Sequence, residues 1–443
     1  MDFLNGKIKP LYLKYLSAAF GSALITSIYS IVDMAMVGQY QGPEGTAALA
    51  VVAPIWNVIY SLGLLMGIGG SVLFSHLKGK SNHQENENDY FTSAFLGSVL
   101  LGIVAWLVFI LFERQLLTAF GAEGNLLPLA QRYLIPIKFI FPCFLFNQML
   151  AAFLRSDQNP GLATSAVLIG GIFNVFGDYF FVFVLDMGIF GAGLATALGS
   201  LITLVFLLTH FISKKNTLRL VRPAMGFKCF KEICVMGFST FFIDMAMGFL
   251  TILFNRQIVR YLGTDALAVY GIIVNLSTFV QCCAYSVGQA AQPLISVNFG
   301  AKQILRIKQT LRYALWTVLF FSLFWAVLGV SMPMMFVHIF MTPTKSIVQI
   351  APNIIRCYSV SFLLLPLNIF STYYFQAVME PRIALIVSIM RGMIVSGILI
   401  FLLPSLFGAS LIWWAMPITE LLVSVFVVFM MKRTSRHLSY LSN

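Results

Sequence analysis

Apolar runs of membrane-spanning length recur along this chain from one end to the other, and nothing else in the sequence restricts its fold as much. A helix needs about 20 consecutive apolar residues to cross the hydrocarbon layer of a bilayer. Breaking the chain at its polar gaps gives twelve such spans, near 11–38, 47–77, 91–112, 128–154, 160–184, 188–212, 228–258, 266–297, 310–332, 351–378, 381–403 and 407–431. Several exceed the minimum, which implies tilt or extension into water. Of the 443 residues, 59% are hydrophobic and 10% charged, against about 25% charged in a soluble domain. No soluble core of this size would hide that apolar surface. The runs are continuous rather than alternating, which excludes a transmembrane β-barrel. The expected fold class is an all-α polytopic membrane protein.

The 28 basic residues outnumber the 16 acidic ones, but they gather in short gaps between spans. No basic helix or arm is long enough to follow a phosphate backbone, so the lipid bilayer, not nucleic acid, is the expected partner. With both termini cytoplasmic, that side receives Lys7, Lys9, Lys14, Lys78, Lys80, Arg306 and Arg312 among many others, while the opposite gaps receive chiefly Arg114, Arg260 and Lys345. That asymmetry sets the expected topology in the cell membrane. The N-terminus reads as a retained first helix rather than a signal peptide. The six cysteines show neither metal-ligand spacing nor a disulfide framework.

The two halves resemble each other. "GIGGSVLFSHLKGK" from Gly67 and "GQAAQPLISVNFGAK" from Gly288 align at an offset of 221, which also pairs Pro160 with Pro381. Nearby, "ALAVVAPIWNV" and "ALAVYGIIVNL" align at 218, pairing Asn57 with Asn275. Each half holds six spans, so the repeats are parallel, an arrangement that places a substrate path at their interface. The expected organisation is an N-terminal lobe over 1–212, a basic cytoplasmic linker over 213–231 and a C-terminal lobe over 232–443.

Polar residues inside spans are costly, about 2.5–3.5 kcal/mol for a charge at mid-bilayer, and normally have a task. Asp33 lies in span 1, and "NVFGDYFF" places Asn174 and Asp178 one turn apart on one face of span 5. Span 6 adds Thr196 in "GAGLATALGS", at similar depth. The repeat acts as an internal control: Asn174, Asp178 and Thr196 correspond to Val395, Leu399 and Trp413, and Asp33 to Phe254 or, one residue off, Asn255. The polar set is therefore a feature of one lobe. Two carboxylates, an amide and a hydroxyl suit a hard monovalent cation. Two like charges held close in low dielectric equally favour uptake of a proton, and a purely structural pair of helix acids stays open.

These residues resemble the multidrug and toxic compound extrusion (MATE) family. The resemblance is carried by "VDMAMVG" in span 1, "LRSDQNP" after span 4, "NVFGDYFFVF" in span 5 and "GQAAQPLISVNFGAK" closing span 8, and it covers nearly the whole chain. It implies a V-shaped, two-lobed antiporter that exports drug-like organic cations and amphipathic small molecules against inward Na⁺ or H⁺. No cofactor beyond that coupling ion is implied. It also implies that Asp33, Asn174, Asp178 and Thr196, with the backbone carbonyl of Ala192, form the cation site. One family variant carries a helix 7 glutamate as an ion ligand; here the helix 7 acid is Asp244, one turn nearer the cytoplasm, which argues against an ion site in the second lobe.

Asp244, Arg391 and Glu420 fall near the middles of spans 7, 11 and 12. They form either a charge network between helices or a cavity charge that attracts substrate. Asn57, Gln148, Asn275 and Gln292 are further candidates for substrate contact, with polar helix packing as the alternative. Other functions leave weaker traces. A flippase for a lipid-linked precursor shares a two-lobed plan but wants a strongly basic cavity. A membrane-embedded enzyme wants a constellation of acids or histidines at a membrane face, and a channel wants a repeated pore loop. No GxxxxGK[ST] loop is present, so ATP is not expected as the energy source. The chain is expected to act as a monomer.

Overall fold

The computed structural model describes residues 3–80, 86–222, 226–341 and 343–440, the last four without their side chains. In chain order the helices are α1 (Ile8–Gly79), α2 (Asn88–Ala119), α3 (Leu126–Lys138), α4 (Phe141–Ser156), α5 (Pro160–Tyr179), α6 (Ile189–Leu208), α7 (Gly226–Leu262) and α8 (Thr264–Gly300). There follow α9 (Ile304–Ser331), α10 (Pro333–Phe340), α11 (Lys345–Ser359), α12 (Leu365–Ala377), α13 (Pro381–Ile389), α14 (Val395–Phe407) and α15 (Ala415–Tyr440). A π-helical turn, Phe180–Val184, continues α5, and another, Met390–Ile394, joins α13 to α14. No strand occurs among the described residues.

α1 is 72 residues long. At about 1.5 Å per residue it would reach about 108 Å, against about 30 Å of hydrocarbon, so it must be two spans. They meet at Gly42, whose φ of 68° and ψ of −156° suit a residue without a Cβ. Pro43 follows and cannot donate to the preceding turn. The break falls in the gap at 39–46 that separates the first two expected spans. α3 and α4, which the sequence predicts as one span over 128–154, bend by 61°. Pro142 opens α4, and the Lys138 carbonyl at the bend accepts the indole N–H of Trp106 at 2.7 Å. Among the described residues ten helices are long and apolar enough to cross a membrane, or eleven with the bent pair as one span. Dividing α1 at Gly42 brings that to the expected twelve. The protein is a multi-pass membrane protein.

By its contacts the chain separates into two compact units, one of Ser17–Phe241 and one of Asp2–Leu16 with Phe242–Asn443. The core of the first joins Val52, Ile55 and Ile59 of α1 to Phe109, Tyr133, Leu134 and Phe141. In the second, Phe3, Leu11, Tyr12 and Tyr15 of the N-terminal arm are buried with Leu294, Val318, Phe370 and Tyr374. α1 thus starts in the second unit and carries on into the first.

The repeat is visible in the backbone. Gly42 and Gly263, 221 residues apart, have φ of 68° and 82°. Gln158 and Met379, at the same offset, have φ of 60° and 63°, uncommon for residues with a Cβ. The flanking bonds match as well: the Asp157 and Val378 amides donate to Phe153 O (2.7 Å) and Tyr374 O (3.0 Å).

Asp157, in the turn between α4 and α5, gathers several chain ends of the first unit. Its carboxylate accepts Lys78 Nζ at 2.5 Å, His210 Nε2 at 2.8 Å, the Thr217 amide at 2.8 Å and the Thr217 hydroxyl. Asn159 Nδ2 donates to His210 Nδ1 at 3.1 Å. The segment after α6 is also tied to α2, through the Arg219 amide on Asn88 Oδ1 (2.8 Å) and the Val221 amide on Thr92 Oγ1 (3.0 Å). Residues 223–225 of the expected linker lie outside the described residues. Burial pushes the Asp157 carboxyl up, but the His210 bond, the Lys78 charge and the bonds from Lys78 and Thr217 more than offset it, leaving it below its ordinary value. A depressed carboxyl stabilises the fold above its unfolded pKa, and that stability is lost as pH falls through the folded one. Asp157→Asn is therefore expected to cost about 2 kcal/mol at neutral pH, the scale of hydrogen bonds to a charged group. It should also flatten the loss of melting temperature below about pH 4, as measured on the detergent-purified protein.

Candidate cation site

The polar residues of the first unit are brought together by four helices. α1 supplies Asp33, α5 supplies Asn174 and Asp178, α6 supplies Thr196, and α3 supplies Tyr133, which the sequence reading missed. α3 reaches α6 because Gly193 leaves room: a Cβ there would lie 2.0 Å from the carbonyl oxygen of Tyr133. The Tyr133 hydroxyl donates to Asp33 Oδ2 at 3.0 Å and lies 3.5 Å from Thr196 Oγ1. Asn174 Nδ2 donates to Thr196 Oγ1 at 3.1 Å. A chain of polar contacts therefore runs Asp33–Tyr133–Thr196–Asn174. Asp178 follows one turn after Asn174 on the same face of α5. The π turn begins two residues later.

Burial is nearly complete: Asp33 is 9% exposed, Asn174 3% and Asp178 0%. Four of their oxygens (Asp33 Oδ1, Asn174 Oδ1 and both of Asp178) accept no hydrogen bond. Each unpartnered buried polar atom costs about 1–3 kcal/mol, and more when charged. No basic side chain pairs with either aspartate among the described residues. The arrangement is a cluster of buried oxygen acceptors that receive no hydrogen bond from the protein. Ala192, fully buried, lies one turn before Thr196 on α6. Among the described residues no group of three His, Cys, Asp or Glu could hold a metal ion.

The matching positions of the second unit hold something else. Phe254 stacks on Tyr270 with ring centres 5.0 Å apart, Tyr358 lies 6.3 Å from Phe254, and Trp413 lies 6.3 Å from Tyr270. Where one repeat has carboxylate and hydroxyl, the other has packed rings.

Among the other candidates, Arg391 and Glu420 pair: Arg391 Nε donates to Glu420 Oε1 at 2.7 Å, and Asn368 Nδ2 donates to Glu420 Oε2 at 2.6 Å. Arg391 sits in the π turn, and both members of the pair are buried. Asp244 lies outside that pair and accepts the Tyr285 hydroxyl at 3.1 Å. Gln292 Nε2 donates to Gln376 Oε1 at 3.3 Å. Asn275 is exposed and bonds its own helix at Gly271 O, Asn57 is exposed, and Gln148 is half-buried.

The model of the family described as MatE matches residues 18–180 and 233–402. The chain belongs to the MatE family. It is accordingly a transporter and not an enzyme. Among curated MatE relatives, the multidrug export protein MepA of Staphylococcus saprophyticus is 26% identical over 419 residues, 93% of this chain and 91% of the relative. MepA of Staphylococcus aureus strain MSSA476 is 26% identical over 420 residues, 92% and 91%. The outward-facing structure of a multidrug resistance MATE family transporter of the MOP superfamily superposes with a TM-score of 0.90 at 19% identity, covering 99% of this chain and 98% of the other. A MOP superfamily transporter from Pyrococcus furiosus, described as having a binding pocket of reverse polarity, gives a TM-score of 0.90 at 19% identity over 100% and 98%. These structures share the twelve-helix MatE fold.

Proposed function

We propose that this chain is a secondary active antiporter that exports drug-like organic cations and amphipathic small molecules in exchange for Na⁺ or H⁺. The coupling ion is held by Asp33, Asn174, Asp178 and Thr196 with the Ala192 carbonyl, and Tyr133 fixes the Asp33 carboxylate. The observation that carries this reading is the set of four buried, unpartnered oxygens on Asp33, Asn174 and Asp178. A bound cation or proton satisfies them, so its arrival and departure changes the charge where α1, α3, α5 and α6 meet. The names of the MepA relatives support the export of drugs. In the same reading the halves over 1–212 and 232–443 are parallel lobes joined by 213–231. Both termini are cytoplasmic, the cell membrane is the site of action, and a single chain suffices. Asp244 and the amides Asn57, Gln148, Asn275 and Gln292 are the polar candidates for substrate contact. A flippase for an anionic lipid precursor is disfavoured, because the intramembrane Arg391 is already neutralised by Glu420.

The test is dye efflux from proteoliposomes under a Na⁺ gradient or a pH gradient, imposed one at a time. One of the two is expected to drive efflux and to lose its effect when the matching ionophore is added. A tenfold ion gradient supplies about 1.4 kcal/mol, enough for about a tenfold dye gradient in one-for-one exchange. Efflux indifferent to both gradients would remove the antiport reading.

A further inference from the structure

The second unit carries a basic cavity that the transport reading does not use. It has a volume of about 860 Å³ and lies between the N-terminal arm and the start of α9, lined by Lys7, Lys9, Arg306, Arg312, Tyr313 and Trp316 among others, with no acidic residue in its lining. Its walls are fixed in place. Arg306 Nη2 donates to the carbonyls of Phe3 (2.8 Å) and Gly6 (2.7 Å), and its Nε donates to Asn298 Oδ1 (3.0 Å). Further along the arm, Tyr12 donates to Thr317 Oγ1 at 2.9 Å and stacks on Tyr313. Arg306 is thus engaged in building the cavity. Lys7, Lys9 and Arg312 are exposed and make no ion pair among the described residues.

The cavity opens onto an apolar stripe. Trp316 stands one turn beyond Arg312 on α9 and is 62% exposed, and Phe320, Phe324 and Val327 continue the exposed face along the helix. Three free cations at the mouth, an exposed tryptophan at their edge and a helix-long apolar face below are the order in which a phospholipid presents phosphate, glycerol and acyl chain. Tryptophan favours that boundary because its ring is apolar and its N–H is polar. A soluble phosphate has no use for the stripe. We propose that this cavity is a binding site for the phosphate headgroup of an anionic phospholipid, with an acyl chain laid along α9. The cavity is built on the first residues of α1, so an occupied site fastens the start of the helix that carries Asp33.

The experiment is native mass spectrometry of the full-length protein in detergent, titrated with phosphatidylglycerol, with phosphatidylethanolamine, and with phosphatidylglycerol in competition with inorganic phosphate. Wild type is expected to retain phosphatidylglycerol over phosphatidylethanolamine and to keep it in millimolar phosphate. Each basic side chain near an anionic lipid is worth about fivefold in affinity. The triple variant Lys7→Gln, Lys9→Gln, Arg312→Gln should therefore bind about 100-fold more weakly, while Lys7→Arg, Lys9→Arg, Arg312→Lys keeps wild-type retention. Trp316→Ala should weaken the lipid without touching the charges. If the triple neutral variant is not monodisperse, Arg312→Gln alone decides, with an expected loss of about fivefold. Equal retention by wild type and the neutral variants overturns the proposal, and so does displacement of the lipid by inorganic phosphate, which would mark a site for soluble anions.

Discussion

Asp178→Asn is expected to abolish gradient-driven efflux while leaving the protein folded. The substitution keeps the shape of the side chain, and both carboxylate oxygens lack a hydrogen-bond donor in the parent, so no protein contact is broken. What disappears is half of the negative charge of the pair with Asp33, and with it the reason for a cation or proton to enter a site that is otherwise closed to water. Proteoliposomes should show dye efflux at the level seen without any gradient, losing the whole of the roughly tenfold dye gradient that a tenfold ion gradient can drive. The melting temperature should hold or rise, because relieving an uncompensated buried charge is favourable. Tyr133→Phe separates site from scaffold: it removes the hydroxyl that donates to Asp33 Oδ2 without removing a charge, so coupling should weaken and shift in pH dependence rather than vanish. Full gradient-driven efflux by Asp178→Asn would end the assignment of the coupling site to this cluster.

Glu420→Ala is expected to be the most destabilising single change in the second unit. Arg391 is 4% exposed and Glu420 0%, and removing the acid leaves a guanidinium buried without a counter-charge. Breaking such a pair from one side costs about 3–5 kcal/mol. Asn368 loses its bond to the Glu420 side chain at 2.6 Å and keeps the one to the Glu420 backbone carbonyl at 2.9 Å. The double change Arg391→Met with Glu420→Leu removes both charges at similar volume, and pairs of this kind are often neutral or stabilising when replaced together. Thermal unfolding in detergent should therefore show a large loss for the single variant and recovery for the double. If the recovered double variant also transports, Arg391 and Glu420 hold helices together. If it is stable but inactive, the pair contacts substrate.

Much of this molecule can be read without coordinates because hydrophobicity and glycine placement act locally. The spans follow from apolar runs, and the division of α1 falls in the polar gap at 39–46, where Gly42 takes a positive φ just ahead of Pro43. The repeat shows as matched strings and again as matched backbone angles at Gly42 and Gly263. Asp33, Asn174, Asp178 and Thr196 attract notice as polar residues where lipid or close helix packing would make them costly.

Tyr133 is different. A tyrosine in an apolar helix reads as an ordinary aromatic, and only the close approach of α3 to α6 at Gly193 turns its hydroxyl onto Asp33. Arg391, Glu420 and Asp244 look alike as intramembrane charges, yet two of them form a closed pair and the third stands outside it. The N-terminal arm, contiguous with the first repeat, is buried in the core of the second unit. In each of these cases the partner lies on another helix. A linear string states which residues are polar and how they repeat, but the rotation of each helix about its own axis, and hence which side chains meet, is set by packing against neighbours far away in sequence.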